Sequence, residues 1–157
     1  MDSRVKLYME RAENKLLLAK TNFDISTNIN VKKFLNLPEK ETFYNDVISQ
    51  SYYAIFYSAK SFLISKGIKT SAPEEHKKTY EEFKKFIDSG EIDKFLLEIY
   101  DSEAEKAEYL LKIYLLEKGK RGRFTYNINA EANIPYAQES LKNSRKFVSV
   151  IKSILNI

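Results

Sequence analysis

The 157-residue chain contains no cysteine, which excludes disulfides, thiolate metal centres and a cysteine nucleophile. Its one histidine, His76, is too few for a multi-histidine metal site, and neither a metal nor a cofactor is expected. Tryptophan is missing. With 4 glycines and 3 prolines there is little punctuation, so a few long helices are expected rather than many strands and turns. No apolar run approaches the roughly 20 residues of a membrane span. The opening MDSRVKLYMERAENK is charged throughout rather than apolar like a signal core. A cytoplasmic protein without a membrane partner is expected.

What is present is enough for a core. The chain is 43% hydrophobic and 31% charged, a balance that folds rather than stays disordered, and one domain over residues 1–157 is expected. The net charge of +4 is a mild bias toward anionic partners that a solvated lysine-rich surface also produces.

The 11 tyrosines and 10 phenylalanines are densest in SYYAIFYSAKSFLISKG, residues 51–67. Serines and Lys60 break it too often for a membrane span. Tyr52, Ile55, Phe56, Ala59, Phe62 and Leu63 recur at helical spacing. Tyr53, Tyr57 and Ile64 form a second stripe, and Lys60 and Ser61 fall outside both. Two stripes predict the central member of a bundle; an aromatic ligand cage is the competing reading. Thr42 is the expected cap and Gly67 the stop, giving a helix over 43–66.

The first helix is predicted over 3–23, burying Val5, Tyr8, Ala12, Leu16, Ala19 and Phe23. A long connection, 24–41, follows, with one or two turns expected in VKKFLNL. Ser71 and Glu74 read as a capping box with Pro73 in the first turn, opening an outer helix whose thin stripe is Tyr80, Phe83 and Ile87. It stops at Gly90. The next helix ends at Gly119, with a kink expected near Tyr100 to Ser102 and a core face of Leu110, Leu111, Tyr114 and Leu115. Asn133 is the expected cap of the last helix, with Pro135 in its first turn. Its buried side is Ala137, Leu141, Ser144, Phe147, Val148, Ile151, Ile154 and Leu155. The expected fold is all-α, an antiparallel four- to five-helix up-and-down bundle.

No Gly-rich phosphate loop and no nucleophile elbow is present. The densest polar chemistry is KGKRGRFTYN, residues 118–127, where Lys118, Lys120, Arg121 and Arg123 meet Phe124 and Tyr126. Cations beside rings suit phosphate neutralisation and base stacking; basic residues complementing a helix C-terminus give the same pattern.

Taken together these segments resemble the HEPN domain family, in particular its small stand-alone prokaryotic members. YMERAENKLLLAKTNF is similar to the family's first helix. VISQSYYAIFYSAKSFLISKGIKT is similar to its central signature, a Tyr-Tyr-Ala followed by an aromatic and a closing Lys-Gly. EEHKK falls where the family has a histidine opening the third helix. RGRFTY and AQESLKNSRKFVSVI fall where it has an arginine, a tyrosine five residues on, and a last helix ending in Phe-Val. The resemblance implies an antiparallel homodimer and, for many members, a metal-independent endoribonuclease toxin paired with a nucleotidyltransferase-like antitoxin. The family's nuclease motif is an arginine, four to six residues, then a histidine. Here Arg121 is followed by Tyr126, so weak or lost cleavage is expected. On the resemblance, Arg121 and Tyr126 are the candidate catalytic residues. Lys118, Lys120, Arg123, His76, Tyr53 and Tyr57 are candidate contacts to RNA or a nucleotide. A non-catalytic module partnering a nucleotidyltransferase-like protein is the alternative. The second stripe of the central helix belongs either to the dimer interface or to the cleft beside Arg121.

Overall fold

The computed structural model describes the backbone of residues 2–119 and 126–157 and the side chains of residues 2–109 and 134–157. Six helices are present among the described residues: α1 (Ser3–Thr27), α2 (Ile29–Phe34), α3 (Tyr44–Ser65), α4 (Glu75–Asp88), α5 (Lys94–Gly119) and α6 (Tyr126–Leu155). The all-α expectation holds, and the sixth element is the short α2 inside the first connection. No helix of the described residues is long and apolar enough to cross a membrane.

α3 is the centre. It packs on α1, α4, α5 and α6, and it buries Val47, Ile48, Ala54, Ile55, Ala59, Phe62 and Leu63. Small residues let α1 come close, and Ser61 Oγ donates to the Val5 carbonyl at 2.7 Å. Tyr8 meets Tyr57, while Ser26 Oγ near the end of α1 accepts from the Phe43 N–H at 2.7 Å. Pairs whose numbers rise on α1 and fall on α3 define an antiparallel pairing. α5 and α6 are antiparallel by the same logic, since Glu103 meets Asn143 and Lys106 meets Glu139. Between these helices Phe62, Phe83, Tyr100 and Phe147 form the aromatic centre of the core.

Helix ends follow local chemistry where the chain supplies it. Gly67 and Gly90 both take φ +78. Around the first, Gly67 N–H reaches the Ile64 carbonyl and Ile68 N–H the Leu63 carbonyl, each at 2.9 Å, a Schellman stop that needs a left-handed residue.

Several sequence expectations are corrected. α1 runs to Thr27 rather than residue 23. Thr42 does not cap α3: Phe43 is the capping residue, without a side-chain cap bond, and its N–H is satisfied by Ser26 from the end of α1. The Ser71–Glu74 capping box does not form. Glu74 itself precedes α4 in a left-handed conformation with no side-chain cap bond, and Pro73 lies before the helix. α5 is unbroken across Tyr100 to Ser102, because Tyr100 and Glu103 are both drawn into the interior. α6 begins at Tyr126 and carries Pro135 inside it, so Asn133 is not its cap. The fixed φ of proline is helical, and what is lost is one backbone bond to the fourth residue upstream. Ile154 is 43% exposed, not buried; the other seven residues of its predicted stripe are buried. The predicted face of Leu110, Leu111, Tyr114 and Leu115 lies outside the described side chains.

Candidate functional site

Three of the residues singled out in the sequence come together where α3 meets α4 and α1. Tyr53 and Tyr57, four apart on α3, stack with ring centroids 6.4 Å apart, and His76 meets Tyr53 edge-on at 5.8 Å. His76 stands at the first turn of α4 and lies flat on Phe56, centroid to centroid 3.9 Å. Its Nδ1 is 2.8 Å from the Tyr52 hydroxyl.

Beneath this pair is a cation. Lys60 was expected outside the apolar stripes, yet it is buried, as is Ser61. α1 and α4 close over that side of α3, so neither side chain reaches solvent. The Lys60 ammonium is ion-paired to Glu75 and donates to the Thr70 carbonyl at 3.2 Å. It lies 4.7 Å from the Tyr8 ring centre and 5.7 Å from that of Phe56. Glu75 precedes His76, and its carbonyl accepts from Thr79 Oγ1, while Thr79 Oγ1 also meets Thr70 Oγ1 at 2.6 Å. Lys60 thereby fixes the start of α4 and, with it, the seat of His76.

Burial shapes the titration of both partners. Burial pushes the Tyr52 hydroxyl up to about 12, so it keeps its proton. Desolvation against the aromatic packing, opposed by the Glu75 charge and aided by that of Lys60, holds the His76 imidazole below its ordinary value. Near pH 7 the pair is therefore a neutral phenol and a neutral imidazole. With the proton on Nε2, Tyr52 donates to Nδ1 and the ring is oriented as a proton acceptor or donor at its far nitrogen. Because His76 is the only histidine, its titration is directly readable. An imidazole proton NMR titration is expected to give a pKa below 6.5, with Phe56→Ala moving it upward. A wild-type value at or above 6.5 contradicts this seat. A folded-state pKa below the unfolded one makes stability highest above pH 6.5 and lowers it as pH falls through the folded value.

Toward solvent the rings continue onto α1. Tyr8 stacks on Tyr57 at 6.2 Å and 22°. Arg11 lies 5.7 Å from the Tyr8 ring centre and 5.9 Å from that of Tyr57, and the Lys15 ammonium 5.6 Å from that of Tyr53. Tyr8, Arg11 and Lys15 recur at three and four residues, one face of α1. Sequence reasoning passed over Arg11, Lys15, Lys60 and Glu75; the only local signal was that spacing of Arg11 and Lys15 from Tyr8. Lys120, Arg121 and Arg123 lie outside the described residues. Lys118 is the last residue but one of α5 and Tyr126 opens α6, with side chains outside those described.

Among the described residues no three histidine, aspartate or glutamate side chains are grouped to hold a metal. An open groove of about 730 Å³ runs between α1 and the end of α6, with Glu13, Arg145 and Lys152 on its walls; it includes none of the candidate catalytic or binding residues named from the sequence.

The fold and the α3 face define an all-helical bundle whose aromatic central helix receives the histidine at the start of α4. The HEPN domain family model matches residues 32–152, most of the chain, and the chain belongs to that family. The match leaves α1 outside it. No curated protein matches the chain.

Proposed function

We propose that the protein is the RNase-like, toxin-type component of a HEPN–nucleotidyltransferase pair. It would work as a cytoplasmic homodimer with one domain per chain and weak or lost metal-independent endoribonuclease activity. The observation that carries this reading is a HEPN chain with Arg121 in the nuclease position and Tyr126 where nuclease members have a histidine. Arg121 would neutralise charge developing on the scissile phosphate, and Lys118, Lys120 and Arg123 would hold the strand. A histidine titrating near ~6.5 moves protons at neutral pH, whereas a tyrosine near ~10 does so poorly. Proton transfer therefore falls to Tyr126, to His76, or to water, and the rate is low.

The missing histidine favours a second reading: a non-catalytic dimeric module that binds RNA or a nucleotide and partners a nucleotidyltransferase-like protein. RNA cleavage in EDTA separates the two. The nuclease reading expects slow cleavage by wild type, abolished in Arg121→Ala and reduced in Tyr126→Phe. No cleavage by wild type, or equal cleavage by Arg121→Ala, sinks it and moves the weight to the partner module.

A further inference from the structure

Tyr8, Tyr57 and Tyr53 form a continuous row of near-parallel rings, 6.2 Å at 22° and 6.4 Å at 28°, across the boundary between α1 and α3. Tyr53 is 37% exposed, and Tyr8 and Tyr57 are half-buried. A contiguous aromatic strip at a surface marks an interaction site more often than singly scattered rings do. The two cations on the row, Arg11 and Lys15, have no carboxylate partner among the described residues; rings are their contacts. A cation–π contact near water is a weak hold, and a phosphate offers each of them a stronger, charge-assisted bond.

We propose that this row is a stacking site for single-stranded RNA, with bases on Tyr53 and Tyr57 and phosphates on Arg11 and Lys15. The proposal deepens, and rests on, the RNA-directed reading above. It assigns strand binding to residues that reasoning from the 118–127 segment does not reach. Three of its five residues lie on α1, outside the matched stretch of residues 32–152. Unpaired bases are required, because a duplex keeps its faces stacked internally. A second copy of the chain fits the surface less well. A twofold contact on this face sets Arg11 and Lys15 against their own copies, with no carboxylate among the described residues engaging either cation to offset the repulsion.

The test is fluorescence anisotropy of a 5′-labelled 12-nucleotide oligo(U) RNA against the full-length protein, in wild-type and Arg121→Ala backgrounds. Tyr53→Ala is expected to weaken binding about tenfold in both, with Tyr53→Phe close to wild type. Arg11→Gln with Lys15→Gln is expected to flatten the dependence of log affinity on log salt by about 1.4, roughly 0.7 for each lost phosphate contact to a single strand. A self-complementary duplex of the same length competes poorly. Circular dichroism checks that each variant is folded, and sedimentation checks its oligomeric state. Unchanged affinity in Tyr53→Ala overturns the proposal even if Arg121-dependent cleavage is present. So does undetectable binding of the oligonucleotide, or salt-independent binding. A Tyr53→Ala protein that becomes monomeric while binding RNA as before assigns the face to self-association instead. Binding that depends on Tyr53 without any cleavage supports the proposal and removes only the nuclease reading.

Discussion

Lys106→Met is expected to lower the stability of the bundle by about 3 kcal/mol. Glu103 is fully buried, and one of its oxygens accepts from Lys106 Nζ at 3.0 Å and from Asn143 Nδ2 at 3.1 Å. Its other oxygen has no hydrogen-bond partner among the described residues. Lys106 bridges in turn to Glu139 on α6 at 2.8 Å. Burial opposes the charge on Lys106, but Glu139 and Glu103 outweigh it and raise its pKa. A lysine raised in this way contributes fully below its unfolded pKa and loses its contribution only as pH rises through the folded value, so the clamp is intact across the neutral range. Removing the ammonium strands a carboxylate in the interior with one amide for company. Removing both charges, Lys106→Met with Glu103→Leu, is expected to restore most of the loss, because a buried pair is expensive to break and nearly neutral to replace. Guanidinium unfolding of the two single variants and the double gives the coupling directly. A loss under about 1 kcal/mol for Lys106→Met means that the carboxylate is solvated after all.

Phe62→Ala is expected to lose about 3–5 kcal/mol, out of a total that for such a domain is roughly 5–15. Phe62 is 1% exposed. It stands edge-on to Phe83 at 5.9 Å and 84° and to Phe86 at 5.1 Å and 90°, with Lys66 5.6 Å from its ring centre. Truncation leaves a void between two helices that close-packed neighbours fill only in part. Phe62→Leu is expected to lose less than half as much. Thermal melts of the three proteins check this, and equal melting temperatures for wild type and Phe62→Ala contradict it.

Much of the bundle was legible because helices announce themselves over short distances. The spacing of Val5, Ala12 and Ala19, and of Ile55, Ala59, Phe62 and Leu63, names the buried faces of α1 and α3 without any knowledge of what covers them. Gly67 and Gly90 stop their helices for a reason carried by a single residue. Tyr53, Tyr57 and His76 were nameable as candidate contacts, and they are adjacent in space. The helix starts were less legible. Thr42 has the right chemistry for a cap, but α3 starts one residue later, with Phe43 as its capping residue and the Phe43 N–H held by Ser26, seventeen residues upstream. Ser71 and Glu74 have the right spacing for a capping box, but the anchor of Glu75 on Lys60 sets where α4 begins.

By itself, then, the sequence determined that this is an all-α protein of the HEPN family, which helix faces are apolar, and which short segments carry basic and aromatic chemistry. Each of these depends on neighbours within a few residues. Only the tertiary structure decided that Lys60 is interior, that Tyr52 seats His76, that Glu103 is buried with Lys106, and that Arg11 and Lys15 lie on the tyrosines of α3. Those outcomes join residues on different helices, and a polar side chain is driven inside only when another element closes over it and supplies its partner.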